Sequence, residues 1–474
     1  MATIPLGRYL WERIHQVGID HIFGVPGDFN LTLLDHIYNV DGLEWIGSTN
    51  ELNAAYSADG YARVRNGAGC LVTTHGVGEL SALNGIAGSM TEQVKVIHVV
   101  GQTPMPAQET RLMIHHSIGF SPDHQVFAKA SKDFRVAAAE LRSAEGAAEE
   151  DDRVLRECFV QSGPVYVFVP IDLVDKPVPA HALETPLNLK PEVDEQAVNA
   201  AATAVLEALY ASKNPAILVD CLVHRHINIA EIQSLVDKLG IPVYATNMGK
   251  GIVDETHESY VGVYNGLASS IGVQAAFEAS DFALIVGSLP SDTNSGGFST
   301  RMPKTVAKID PHSVTVGKIY SKVPMKSVLA RLTKSAVATK VPSPPIPTLP
   351  KRLIEDDADA KHITQSWIWH RLAAFLQPHD VVFGETGTTS FGLPEATFPA
   401  STHFTTQTYY GSIGHATPAA FGATIGVADR SCGRVVLITG DGSLMLTIQE
   451  VGNAIKMRSR IVIFIINNAV SVLR

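Results

Sequence analysis

Short apolar runs, too continuous for a sheet with one wet face, constrain this chain most. Between residues 1 and 180, "HIFGVPG", "LEWIGS", "GCLVTTHG", "VKVIHVVGQ" and "PVYVFVPIDL" are each bounded by Gly, Pro or Asp and separated by helical patterns. A strand solvated on one side alternates apolar and polar residues, whereas one buried on both sides reads as an unbroken apolar run. Such runs, spaced by helix-length segments, predict parallel strands joined by crossover helices. The pattern returns in "PAILVDC", "IPVYATN", "FALIVGS" and "TVAKIDP", with "IAEIQSLVDKLG" as a helix stopping at a glycine. It returns again in "DVVFGETG", "GRVVLITGDG" and "RIVIFIINN", after the amphipathic "ITQSWIWHRLAAFLQ".

Two passages divide these groups. "ETPLNLKPEVDEQ" is polar and contains proline, and "VPSPPIPTLPKR" carries five prolines between positions 342 and 350, which no helix or central strand tolerates. With 474 residues, too many for one core, the expectation is three consecutive α/β domains, at 1–180, 195–340 and 355–474. Each has a mostly parallel sheet flanked by helices. The third is expected to be incomplete: its 120 residues fall short of the roughly 150–180 that six strand-helix units require. The ending "AVSVLR" is accordingly expected to be read-through in a truncated product.

Bulk properties exclude several classes. A net charge of −10 leaves no basic footprint for nucleic acid. The start, "MATIPLGRYLWERIHQVG", is amphipathic rather than a signal peptide, and no stretch approaches ~18 uninterrupted apolar residues. Four scattered cysteines form neither a metal-ligand spacing nor a disulfide framework. A cytoplasmic location is expected, with no membrane partner.

The chemistry concentrates near the end. Gly440-Asp441-Gly442-Ser443 closes one strand, and 24 residues (443 to 466) separate Gly442 from Asn467-Asn468, which close the next. Ligands of parallel α/β sheets bind at the carboxyl edge of the strands. There Gly442 and Ser443 let backbone N–H groups approach a phosphate, and a carboxylate with an amide oxygen suits Mg²⁺. A strand-helix-strand unit with ordinary turn residues would carry the same letters.

Gly-Asp-Gly, then the double Asn, resembles the diphosphate–Mg²⁺ motif of thiamine-diphosphate enzymes. The likeness runs through almost the entire chain and points to the pyruvate decarboxylases of fungal type. It implies a pyrimidine-binding first domain, a central domain and a diphosphate-binding third. Thiamine diphosphate and Mg²⁺ are the implied cofactors, with Asp441, Asn468 and the carbonyl of Val470 as metal ligands. "STNELNAAYSADGYARV" offers Glu51 as the carboxylate that activates the aminopyrimidine; alone, an acid at a helix start also reads as a complement to the helix dipole. "YYGSIGHAT" places Ile413 as the wedge that bends the cofactor, with Gly411 and Ser412 as backbone contacts, and "FGETGTTSFG" supplies Thr388. "FGVPGDFN" and "RLMIHHSIG" supply Asp28, His115 and His116 as proton donors to the decarboxylated product. The implied reaction is non-oxidative decarboxylation of a small 2-oxoacid, pyruvate to acetaldehyde and CO2. The implied assembly is a homodimer or homotetramer with sites between subunits.

The match fails after Asn468. Val470 stands where the family has a glycine, and Arg474 where it has an active-site glutamate. Thr293 replaces an aromatic near the substrate, which suggests longer side chains fit. Cys221 sits at the place of a cysteine linked to substrate activation in some relatives, though a buried small hydrophobe reads as well. Alternatives are an aromatic or indolyl 2-oxoacid decarboxylase, and an impaired chain that only binds cofactor or partner subunits. A carboligase resembling acetolactate synthase is disfavoured by His115-His116.

Overall fold

The computed structural model describes residues 2–350, 360–427 and 433–468. The chain forms two compact units.

The first unit comprises Met1–Lys190, Gly414–Ser431 and Ser443–Ile461. Its six-stranded sheet has the order Glu44–Gly47, His21–Gly24, Gly69–Thr74, Val96–Gln102, Val165–Pro170, Ala137–Glu140, and every pairing is parallel. All residues of Gly69–Thr74, Val96–Gln102 and Val165–Pro170 are buried, as unbroken apolar runs require. A two-stranded antiparallel ribbon pairs Thr3–Pro5 with Pro177–Pro179. The edge strand Ala137–Glu140, "AAAE", has no strand signal of its own; its ladder with Val165–Pro170 recruits it.

Two helices of this unit meet on small residues. Helix Glu51–Arg65 is buried along most of its length, and Ala416–Val427 packs against it. A Cβ on Gly60 would lie 1.9 Å from the Ala419 carbonyl oxygen, and one on Gly422 would lie 1.9 Å from that of Ser57. Only glycine permits this backbone approach. Between the helices runs a dry charge network: Arg63 donates to Asp59 at 2.6 Å and to Glu92 at 2.9 Å, and His415 Nε2 lies 3.0 Å from Asp59 Oδ1. Despite burial, the Arg63 guanidinium and His415 hold the Asp59 carboxyl below the usual range.

The second unit comprises Pro191–Ile413, Cys432–Gly442 and Val462–Arg474. Its seven-stranded sheet runs Tyr260–Val263, Val243–Ala245, Pro215–Val219, Phe282–Val286, Thr305–Asp310, Ser313–Val316, Ile319–Ser321. The first five strands are parallel and the last two join antiparallel. A four-stranded sheet has the order His403–Thr405, Val381–Gly384, Val435–Gly440, Ile461–Ile466. A buried lysine ties the two sheets' loops together: Lys250 Nζ donates to both Glu255 oxygens at 2.8 Å and to the Ala396 carbonyl at 2.7 Å. Glu255 in turn accepts the Phe398 N–H at 2.9 Å.

The four sheets follow the three sequence segments, yet the compact units cut across them. Helices Ala416–Val427 and Gln449–Lys456 group with the first unit, because glycine and alanine faces dock where strand patterning gives no hint.

Candidate active site

Four strand ends of the second unit's smaller sheet carry most of the expected cofactor residues. Val381–Gly384 is parallel to both His403–Thr405 and Val435–Gly440. The helical crossover from Val435–Gly440 to its neighbour Ile461–Ile466 is of the kind that joins parallel strands. One carboxyl edge therefore bears Thr388, then Gly411, Ser412 and Ile413, then Asp441 and Gly442, then Asn468. Thr388 opens a short helix behind Gly387, whose φ of +123° only glycine tolerates. Ile413 is 52% exposed between two positive-φ glycines, Gly411 and Gly414. Gln407 organises the loop: its carbonyl accepts from Gly411 N at 3.1 Å and Thr386 Oγ1 at 2.8 Å, and its Oε1 accepts from Ser412 N at 3.1 Å.

Polar atoms at this edge are buried without partners. Thr406 Oγ1, Gln407 Nε2 and Thr408 Oγ1 have no hydrogen bond, a cost proteins rarely carry away from a ligand site. Asp441 opens the Asp441–Leu446 helix, and hard oxygen donors on adjacent strand ends match an octahedral dication. These residues fit a polar, metal-bound anion. Ser443 is assigned to the first unit, and Val470 lies outside the described residues. Thr293 does not gape open: its hydroxyl donates to the Thr408 carbonyl at 2.9 Å. Cys221 is buried, packed with Leu222 and Met248.

In the first unit, Asn50 caps helix Glu51–Arg65 by accepting the Asn53 N–H at 2.8 Å, which sets Glu51 as the first helical residue. A Cβ on Gly78 would crowd Glu51 Oε1 at 3.1 Å, so glycine there admits the carboxylate. Burial pushes the Glu51 carboxyl up, against its own backbone N–H, which favours the anion.

Asp28, His115 and His116, 87 residues apart in sequence, converge so that their polar atoms lie within 4.8 Å of one another. His115 Nε2 hydrogen-bonds Asp28 Oδ2. His115 and His116 meet edge to face at 4.7 Å, and His116 is held at φ 69°. The loop bearing Asp28 is braced by Asn30, whose Oδ1 accepts from Gly27 N at 2.8 Å and whose Nδ2 donates to the Val25 carbonyl at 3.2 Å.

Behind this cluster lies a layer that the sequence reading did not single out. His75 is fully buried with neither ring nitrogen hydrogen-bonded. Burial, then His124, pushes it down to about 4. Burial likewise pushes Glu79 up to about 7, against the Gly76 N–H. The two face each other at 3.6 Å, and both shifts favour neutral forms, so the contact is no ion pair. Phe29 adjoins Asp28 in the quoted motif, which was the available signal; His75 at a strand end offered none.

Comparison with known proteins identifies the family. The family described as thiamine pyrophosphate enzyme, N-terminal TPP binding domain, matches residues 4–125; the central domain matches 202–334 and the C-terminal TPP binding domain 385–473. The pyruvate decarboxylases of Kluyveromyces marxianus and Kluyveromyces lactis are each 44% identical to the chain, over 476 and 480 residues, covering 99% of it and 84% of each relative. Pyruvate decarboxylase isozyme 1 of Saccharomyces cerevisiae is 41% identical over 478 residues with the same coverage. The chain belongs to the pyruvate decarboxylase family. As a family member it is a thiamine-diphosphate enzyme, with Mg²⁺ as the usual companion of the cofactor.

Proposed function

We propose that this chain is a carboxy-lyase converting pyruvate to acetaldehyde and CO2, dependent on thiamine diphosphate and Mg²⁺. The observation that carries the reading is the convergence of Asp28, His115 and His116 in a member of this family. Asp441 and Asn468 would hold Mg²⁺, with Val470 as the third ligand, and Gly442 and Ser443 would contact the diphosphate. Thr388, Gly411, Ser412 and Ile413 would seat the rest. When bound, thiamine diphosphate would supply a nucleophilic carbon that adds to the 2-oxo group and a cationic ring that takes up the electron pair left as CO2 departs. Glu51 holds a proton at its carboxylate, for which its partly buried, raised carboxyl is suited. Asp28 with His115 and His116 moves one proton to the product before the aldehyde leaves, as acid–base groups gathered within reach of one another.

The domain roles follow: 1–180 pyrimidine-binding, 195–340 central, 355–474 diphosphate-binding. A homo-oligomer is the working form, supported by exposed apolar side chains on the segments bearing the cluster: Leu31, Leu112, Met113, Ile118 and Phe120, the last 90% exposed. A cytoplasmic location fits the buried free thiols of Cys70, Cys158 and Cys221. Among the described residues no helix is long and apolar enough to cross a membrane.

The deciding experiment supplies pyruvate, thiamine diphosphate and Mg²⁺ and follows acetaldehyde through a coupled dehydrogenase. Turnover lost on omitting either cofactor is expected. Calorimetric cofactor binding without acetaldehyde would remove the decarboxylase reading.

A further inference from the structure

His115 presents a problem of control. Its side chain is 57% exposed and that of Asp28 49%, so solvent offers the imidazole many orientations, and one hydrogen bond to a half-exposed carboxylate is weak restraint. What immobilises it is the neighbouring ring. Phe29 stacks nearly parallel to His115, at 16° and 5.0 Å between centroids. The same phenyl is only 6% exposed. Its edge-to-face contacts fix it from two further sides, His75 at 5.9 Å and 90° and His116 at 6.2 Å and 79°.

The backbone under Phe29 is equally fixed. Asn30 clamps the loop through Gly27 N and the Val25 carbonyl. A Cβ on Gly101 would lie 2.3 Å from the Phe29 carbonyl oxygen, so the central strand abuts this residue directly. His75, neutral and without hydrogen bonds, backs the phenyl as an aromatic plate and carries no charge to the cluster. A rigid apolar face is thus built against one side of an imidazole otherwise touched by Asp28 and His116.

We infer that Phe29 is a positioning residue for the proton-transfer cluster: its ring face sets the His115 plane so that Nε2 is directed at Asp28. This rests on the proposed role of His115 in the decarboxylation. Offset stacking of this kind strengthens a pairing by amounts equivalent to about tenfold in an equilibrium or a rate. Because the effect is on orientation, it belongs to kcat and leaves cofactor affinity untouched.

The test has a spectroscopic arm and a kinetic arm. In the wild-type protein without cofactor, with histidines ring-labelled, the His115 ring protons (assigned by their loss in His115→Gln) should resonate upfield, shifted by the Phe29 ring current. In Phe29→Leu they should move back toward free histidine. In the loaded enzyme, Phe29→Leu should lower kcat about tenfold with KM and thiamine diphosphate affinity changed less than about twofold, and Phe29→Tyr, which keeps the ring face, should restore most of it. An unshifted His115 signal in the wild type overturns the inference even if Phe29→Leu does not fold, and so does an unchanged kcat in a folded Phe29→Leu. If the wild type shows the ring-current shift yet makes no acetaldehyde, the decarboxylase reading fails while the orienting contact stands.

Discussion

At the residue scale, Glu51 and Glu79 are two carboxyls of one unit whose burial raises both, and their surroundings set different tasks. Glu51 is half-buried at a capped helix start. Replacing it with glutamine keeps the shape and removes the carboxylate to which the proposed proton-holding role belongs. Glu51→Gln should cut kcat by about a hundredfold or more while calorimetric cofactor affinity stays within about tenfold. Glu79 is 3% exposed and pushed up to about 7, from an ordinary 4.5. The sign follows from that: the unfolded chain ionises near 4.5 and the folded one near 7, so stability is unaffected below 4.5, declines through that window and is fully reduced above it. Glu79→Gln removes the penalty. Urea unfolding should show it more stabilising at pH 8 than at pH 5 by about 2 kcal/mol. Of these residues, Asp28, Glu51 and the His115-His116 pair were legible as motif letters. Glu79 and His75 were not, since a histidine after a strand and an acid in a helix look alike whether wet or dry.

At the scale of elements, the contact between Glu51–Arg65 and Ala416–Val427 decides where the Glu51 carboxylate sits within its unit. Arg63 bridges Asp59 and Glu92, all of them 0–1% exposed at the side chain. Arg63→Met should cost about 3–5 kcal/mol in urea unfolding, because it withdraws a cation shared by two carboxylates held away from water rather than because the ion pair is itself strongly favourable. The strands tell a matching story. Gly69–Thr74 and Val165–Pro170 were readable because both faces are buried, which forces an apolar run. Ala137–Glu140, Tyr260–Val263 and His403–Thr405 were passed over. They are short, all three at sheet edges, and owe their conformation to a neighbour's ladder.

At the scale of the whole molecule, a site lined by orphaned hydroxyls and an amide should be steadied by what fills it. Thiamine diphosphate with Mg²⁺ at a hundred times its dissociation constant should stabilise the protein by about 2.7 kcal/mol. Calorimetry should record a rise in Tm that chelation of Mg²⁺ reverses. An unchanged Tm at cofactor concentrations far above the expected dissociation constant would show that the folded chain does not bind it.

The sequence by itself determined the α/β class, the strands buried on both faces and the family, because continuous apolar runs and the Gly-Asp-Gly and Asn-Asn turns are local patterns written in consecutive letters. Only the tertiary structure decided that His115 lies against Phe29 and that Asp59, Arg63 and Glu92 share one dry pocket. It alone also decided that two late helices dock beside an early one. Those outcomes depend on glycine-permitted backbone approach and on the loss of water around charges, neither of which a residue's neighbours in the chain reveal.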